Sequence, residues 1–126
     1  MGEPIKSFRD LKVWQKAMDA AMDIYVLTLK FPKDERFSLS DQIRRSSRSV
    51  AANIAEAWRK CRYPAHWISK LSDSEAEAAE TQTHLEFALR CRYIDQSAAE
   101  RLNALYEEIF AMLSDMAAHP EQWRLR

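Results

Sequence analysis

The sequence predicts an all-α protein, an antiparallel up-down-up-down four-helix bundle whose copies associate. Three observations carry this. The 126 residues include one glycine and four prolines, too little turn chemistry for a sheet-rich fold. Alanine, leucine, glutamate, arginine and lysine dominate the composition, as in long helices. Apolar residues recur at helical spacing along four stretches joined by short connections, and the first stretch is apolar around most of its circumference.

The first helix is predicted over residues 8–31. Ser7 and Asp10 have the spacing of a capping box, and Pro32 stops the helix. The second spans 39–61, with Ser38 as N-cap and Asp41 in the first turn, where a negative charge suits the helix dipole. Pro64 opens the third, 64–91, since proline at a first helical position gives up an N–H that would be unpaired anyway. Asp95 caps the fourth, 95–118, which ends before Pro120 and leaves a loose tail, 119–126, where Trp123 has the means to dock. Helices of ~20 residues or more are ~30 Å long. Matched lengths and short connections make them antiparallel neighbours in one domain, residues 1–126.

The fourth helix has one apolar stripe, as an outer bundle helix should. The first has two. Leu11, Trp14, Met18, Ala21, Met22, Tyr25 and Leu29 form one; Val13, Ala17, Ala20, Ile24, Leu27 and Phe31 form the other. Polar residues are confined to an arc of about 100°. A spare apolar stripe is rarely left in water. The stripe Val13, Ala17, Ala20, Ile24, Leu27 and Phe31 is therefore the candidate oligomer interface; the alternative is a helix buried on two sides within a monomer.

The second helix has three faces. Its core face centres on Ile43, Val50, Ile54 and Trp58. A polar stripe of Gln42, Arg45, Ser49, Asn53 and Glu56 is the candidate polar assembly seam, with Glu56 expected to pair with Arg45 or with an arginine of a neighbouring copy. Arg44, Arg48, Arg59, Lys60 and Arg62, with Ala51 and Ala55 between the arginines, are the candidate contacts for nucleic acid or a protein partner, because guanidinium groups grip phosphates and carboxylates bidentately. The third helix carries an acidic strip, Asp73, Glu77 and Glu80, which competes for those arginines. Trp14, Trp58 and Trp67 fall on apolar stripes and read as packing anchors rather than base-stacking platforms.

Several function classes find no support. Net charge is zero, so no global field draws the chain to nucleic acid or to an anionic membrane. The amino-terminal segment lacks a signal-peptide core, and Lys6 stands where myristoylation needs serine or threonine. No apolar run approaches a membrane span of ~20 residues. Cys61 and Cys91 read as reduced thiols of a cytoplasmic protein. Glu80 and His84 lie off the core stripe, unlike the inward ligands of a di-iron bundle, and His66 and His119 lie near helix ends. No catalytic residue, metal ligand or cofactor site is expected; the protein reads as a non-enzyme.

One resemblance is specific. Phe8-Arg-Asp-Leu-Lys-Val-Trp-Gln-Lys-Ala17, Phe31-Pro32 before Glu35, Leu39-Ser40, Gln42-Ile-Arg-Arg45, Ser49-Val50 and Asn53-Ile-Ala-Glu56 resemble the four-helix bundle family encoded by intervening sequences in bacterial 23S ribosomal RNA genes. The likeness covers about residues 8–113. It implies a cytosolic bundle assembling into a ring-like homopentamer. The accessory protein of diversity-generating retroelements is similar in architecture, which implies basic surfaces that meet RNA or DNA and a reverse transcriptase. The chain departs from the pattern at Ala57 and Arg59, where the family carries glycine, so this helix is expected to run straight; Asp73-Ser74 replaces a Gly-Ser step. Two functions remain in view: a non-catalytic homo-oligomeric scaffold, and an RNA-binding protein using the arginine face.

Overall fold

The computed structural model describes residues 4–123. Met1 and Gly2, on which the lipidation reading rests, and the last three residues of the tail lie outside the described residues. Four long helices make up the described chain: α1 (Lys12–Thr28), α2 (Leu39–Arg59), α3 (Pro64–Arg90) and α4 (Gln96–Ala118). Short 3-10 turns occupy Phe8–Asp10, Lys33–Glu35 and Pro120–Gln122. No strand occurs among the described residues.

Each helix packs on its chain neighbours, and α1 meets α4 to close the circuit. Side-chain pairs show the antiparallel register. Between α1 and α4, Lys16 pairs with Glu108 at 3.0 Å and Asp23 with Arg101 at 3.0 Å. Between α2 and α3, the Ser74 hydroxyl donates to the Val50 carbonyl at 2.9 Å and Thr81 donates to Ser46 Oγ at 2.8 Å. Ser46, Ser74 and Thr81 are buried, and their small side chains let α2 and α3 approach closely while their hydroxyls stay satisfied.

The core is apolar around this polar centre, with Ile24, Ile43, Ile54, Leu71, Leu85, Leu102, Ile109 and Leu113 fully enclosed. Trp67 anchors one end: its indole N–H donates to the Met116 carbonyl at 3.0 Å, and Trp123 stacks on it at 5.4 Å. Residues 119–123 are thus docked rather than loose, because the aromatic face of Trp123 finds a buried partner. Trp58 is buried, and Trp14 lies half-buried edge-on to Phe8 at 5.3 Å. Tyr106 is enclosed, and its hydroxyl approaches Thr81 without reaching hydrogen-bond geometry. Burial holds its ionisation far above the usual phenol range.

The helix ends correct the sequence reading in two places. The Ser7–Asp10 capping box is present, but it closes a single 3-10 turn; extended Leu11 then turns its side chain into the core before α1 begins. The Lys6 and Ser7 amides donate to Asp10 and hold its carboxyl below its ordinary range. Ser38 makes no capping bond to α2. Glu35 takes that role, accepting from the Leu39 N–H at 3.3 Å and from the Ser38 hydroxyl at 2.6 Å. Glu35 also accepts from Tyr93 Oη at 2.8 Å, tying the α1–α2 connection to the α3–α4 connection. The bonds from Ser38 and Tyr93 lower the Glu35 pKa, and the carboxylate in turn pushes the Tyr93 phenol up to about 12. The end of α3 has a geometry that no sequence signal announced. Arg92 has a φ of 64°, and the Tyr93 N–H reaches the Ala88 carbonyl at 2.9 Å, the Schellman geometry in which glycine is usual. Asp95 caps α4 through the Ala98 N–H at 2.8 Å, and α2 runs unbroken through Ala57 to Arg59.

Candidate functional site

One apolar stripe of α1 is core, and the other divides between core and solvent. Val13, Ala17, Ala20 and Ile24 are at most 1% exposed, Phe31 is buried and Leu27 half-buried, all within one protomer. This corrects the expected interface: those residues are core. The ridge left in solvent takes Met18 (37% exposed), Met22 (57%) and Leu29 (61%) from the other stripe, whose Leu11 and Ala21 are buried, and adds Val26 (54%), which the sequence reading placed in neither stripe. The reason lies in side-chain size. Ala17, Ala20 and Ala21 are buried and small enough to let α1 settle close to its neighbours, and the Arg44–Thr28 hydrogen bond ties it to α2. The bulky methionines then face outward. They follow one another at positions i, i+4, i+8 and i+11, a continuous ridge. With half-buried Trp14 at its start, the ridge runs ~22 Å along the helix.

The polar stripe of α2 is satisfied inside the protomer, by a partner absent from the sequence-based reading. Glu56 pairs with Lys70 of α3 at 3.3 Å, and Lys70 also reaches Asn53 Oδ1 at 3.5 Å and Asp73 at 3.8 Å. Asn53 is buried and donates to the Ser49 carbonyl at 3.0 Å. Arg45 pairs with Asp41 at 3.0 Å instead of with Glu56, which lies eleven residues away on the same helix, ~16 Å. Gln42 is exposed. The spacing of Lys70 to Asp73, a turn apart at the start of an acidic strip, was the available signal for this bridge.

The basic residues do not form one face. Arg44 lies half-buried, donating to Thr28 Oγ1 at 2.7 Å and resting 5.0 Å above the Tyr25 ring. Ala51 is buried, which interrupts the surface between Arg48 and the helix end. Arg48, Arg59, Lys60 and Arg62 are exposed, and none has an ion-pair partner among the described residues. The acidic strip of α3 therefore does not pair with them within the protomer. Its central member, half-buried Glu77, has its carboxyl pKa raised by desolvation and by the neighbouring charges of Glu80 and Asp73. Beside Arg59, Lys60 and Arg62 stands Tyr63, 60% exposed and edge-on to the His66 ring at 6.0 Å. This aromatic within a basic cluster escaped the sequence reading, which weighed only tryptophans.

Residues 9–115 match the family described as 23S rRNA-intervening sequence protein. The chain belongs to that family. A similar solved structure is the 1.70 Å crystal structure of a protein with unknown function from the S23 ribosomal protein family of Bacteroides thetaiotaomicron VPI-5482. It is 33% identical, with a TM-score of 0.75, over 84% of this chain and 95% of that one. No curated protein matches the chain. The match agrees with the resemblance read from Phe8–Ala17 and Asn53–Glu56, and the helical architecture of this 23S rRNA-intervening sequence protein accords with it.

Among the described residues of this family member, no three His, Cys, Asp or Glu side chains come together as a metal site, and no helix is long and apolar enough to cross a membrane. Cys61 is buried and Cys91 exposed, both as free thiols. His84 keeps its Nδ1 buried without a partner.

Proposed function

We propose that this 23S rRNA-intervening sequence protein is a non-catalytic scaffold that works as a homo-oligomeric ring. The observation that carries the reading is the Met18–Met22–Val26–Leu29 ridge, exposed along the outward side of α1 where a monomer's helix would carry charge. A ring needs a head-to-tail contact between two different surfaces. The outward side of α3 offers the counterpart: Ser72, Ala76, Ala79 and Thr83 are exposed, small and uncharged, with exposed Ile68 and Phe87 toward the ends. A ridge of long flexible side chains fits a row of short ones, and methionine adapts readily to such a surface. Five copies is the number that the family resemblance implies. Light scattering on the eluting protein tests it: a pentamer has a mass of about 74 kDa against 14.7 kDa for the chain. A monomer at every concentration overturns the proposal.

A second reading has its own observation. Arg59, Lys60 and Arg62 are unpaired and closely precede exposed Tyr63 along the chain, the combination of charge and aromatic face that holds single-stranded RNA. RNA binding of this kind weakens steeply with salt. Titration with a labelled single-stranded RNA over a salt series tests it, and an affinity indifferent both to salt and to Arg59→Ala with Arg62→Ala rules it out.

A further inference from the structure

The α1–α2 connection encloses a cleft of about 310 Å³. Lys33, Arg36 and Arg44 line it together with Thr28 and Ser40, and no carboxylate does. None of the three cations has an ion-pair partner among the described residues. Of the nearby acids, Glu35 accepts from Ser38, Leu39 and Tyr93, and Asp41 pairs with Arg45; exposed Asp34 makes no ion pair among the described residues and does not line the cleft. The carbonyls at the end of α1 do not call for these charges either, because the Leu29, Lys30 and Phe31 amides already bond back to Val26, Leu27 and Thr28.

Ser40 offers the cleft a hydroxyl that is free to donate. It is 6% exposed, lines the cleft, and its hydroxyl makes no hydrogen bond within the described chain. Other buried serines behave differently: Ser46, Ser47 and Ser74 each donate to a backbone carbonyl. The Ser40 oxygen is thus left open to the cleft, where a ligand can meet it. Ser40 also sits in the first turn of α2, where backbone N–H groups lack intrahelical acceptors and the helix dipole favours an anion. Arg44 is held in place by the Thr28 hydroxyl and the Tyr25 ring, so little side-chain entropy is lost when it grips a ligand.

We infer that this cleft is a phosphate-binding site, in which Lys33, Arg36 and Arg44 hold a phosphoryl group and the Ser40 hydroxyl donates to it. Its volume is at the small end of ligand pockets, which run from ~300 Å³ upward, and leaves ample room for a phosphoryl group. The inference does not depend on the scaffold or RNA readings above. The phosphoryl group belongs either to free phosphate or to the end of a nucleic-acid strand.

Calorimetric titration of the full chain with inorganic phosphate tests the site. Saturable binding is expected, weakened at least about tenfold in Lys33→Ala with Arg36→Ala, both exposed positions that a fold tolerates. Ser40→Ala weakens it as well, and Arg59→Ala with Arg62→Ala leaves it unchanged. A short oligonucleotide with a 5′-phosphate, compared with its 5′-hydroxyl counterpart, separates the two sources: tighter binding of the phosphorylated strand than of inorganic phosphate assigns the site to strand ends, and the reverse order to the free ion. No saturable binding, equal binding in the Lys33/Arg36 variant, or a change of oligomeric state in that variant overturns the inference.

Discussion

Replacing Met22 and Leu29 together by glutamine removes the most exposed part of the α1 ridge while keeping good helix formers. The two side chains are 57% and 61% exposed in the protomer. Full burial of such a side chain contributes ~1.5–3 kcal/mol, so covering the exposed fractions contributes about 1–2 kcal/mol each. The pair therefore supplies roughly 2–3.5 kcal/mol to each contact that buries them, and its loss raises the dissociation constant of the assembly between about 20-fold and 400-fold. The protomer should lose no more than ~0.5 kcal/mol, since both positions face solvent. Ile24→Ala makes the opposite case: Ile24 is 0% exposed, and its truncation costs ~2–5 kcal/mol of folding stability. Sedimentation velocity over a dilution series reads assembly, and urea unfolding of dissociated protein reads protomer stability. Dissociation of the Met22/Leu29 variant at concentrations where the parent stays assembled, with an unchanged unfolding midpoint, is the expected outcome. An assembled variant with the parent's dilution curve would refute the reasoning, because the ridge would then not be the contact.

Three further outcomes are expected. Arg92→Gly relieves a left-handed backbone position and should raise stability by ~0.5 kcal/mol, read as a higher urea midpoint; an unchanged or lower midpoint means that the Schellman turn is not strained there. Tyr106→Phe removes a buried hydroxyl that lacks a partner, so thermal unfolding should show between no change and a gain of ~1 kcal/mol, and a clear loss would reveal a hydrogen bond to Thr81. Glu77 binds its proton more tightly in the folded state than at its ordinary value of 4.5, so this residue's contribution to stability falls as pH rises through the window above that value. Glu77→Gln should therefore stabilise the protein at neutral pH and lose its advantage below that window; equal gains at both pH values would contradict the assigned cause.

Much of the fold was legible because it is written locally. Pro32, Pro64, Pro120 and Asp95 punctuate the helices close to where the structure ends and starts them. The first helix was read as unbroken because Leu11 continues its apolar period, and a period does not reveal that one residue adopts an extended backbone to point inward. The cap of α2 was assigned to Ser38 because serine is the common capping residue; Glu35 displaces it from within a 3-10 turn that brings its carboxylate over the helix end. The candidate contact residues were legible as types but not as a surface. Arg44 is tied to α1, and Ala51 is buried between the two groups of cations.

The sequence by itself determined four helices, their order, and a first helix with more apolar surface than one bundle can use. Helical periodicity specifies the angle between residues around one axis, so it revealed two stripes on α1 and a polar stripe on α2. It does not specify which way that axis is turned. Only the tertiary structure decided that Val13, Ala17, Ala20 and Ile24 face the core and Met18, Met22, Val26 and Leu29 face solvent, and that Glu56 meets Lys70. Those choices depend on how several helices fit at once. Alanine rows allow close approach, and close packing over the whole bundle outweighs the preference of any single methionine for the interior.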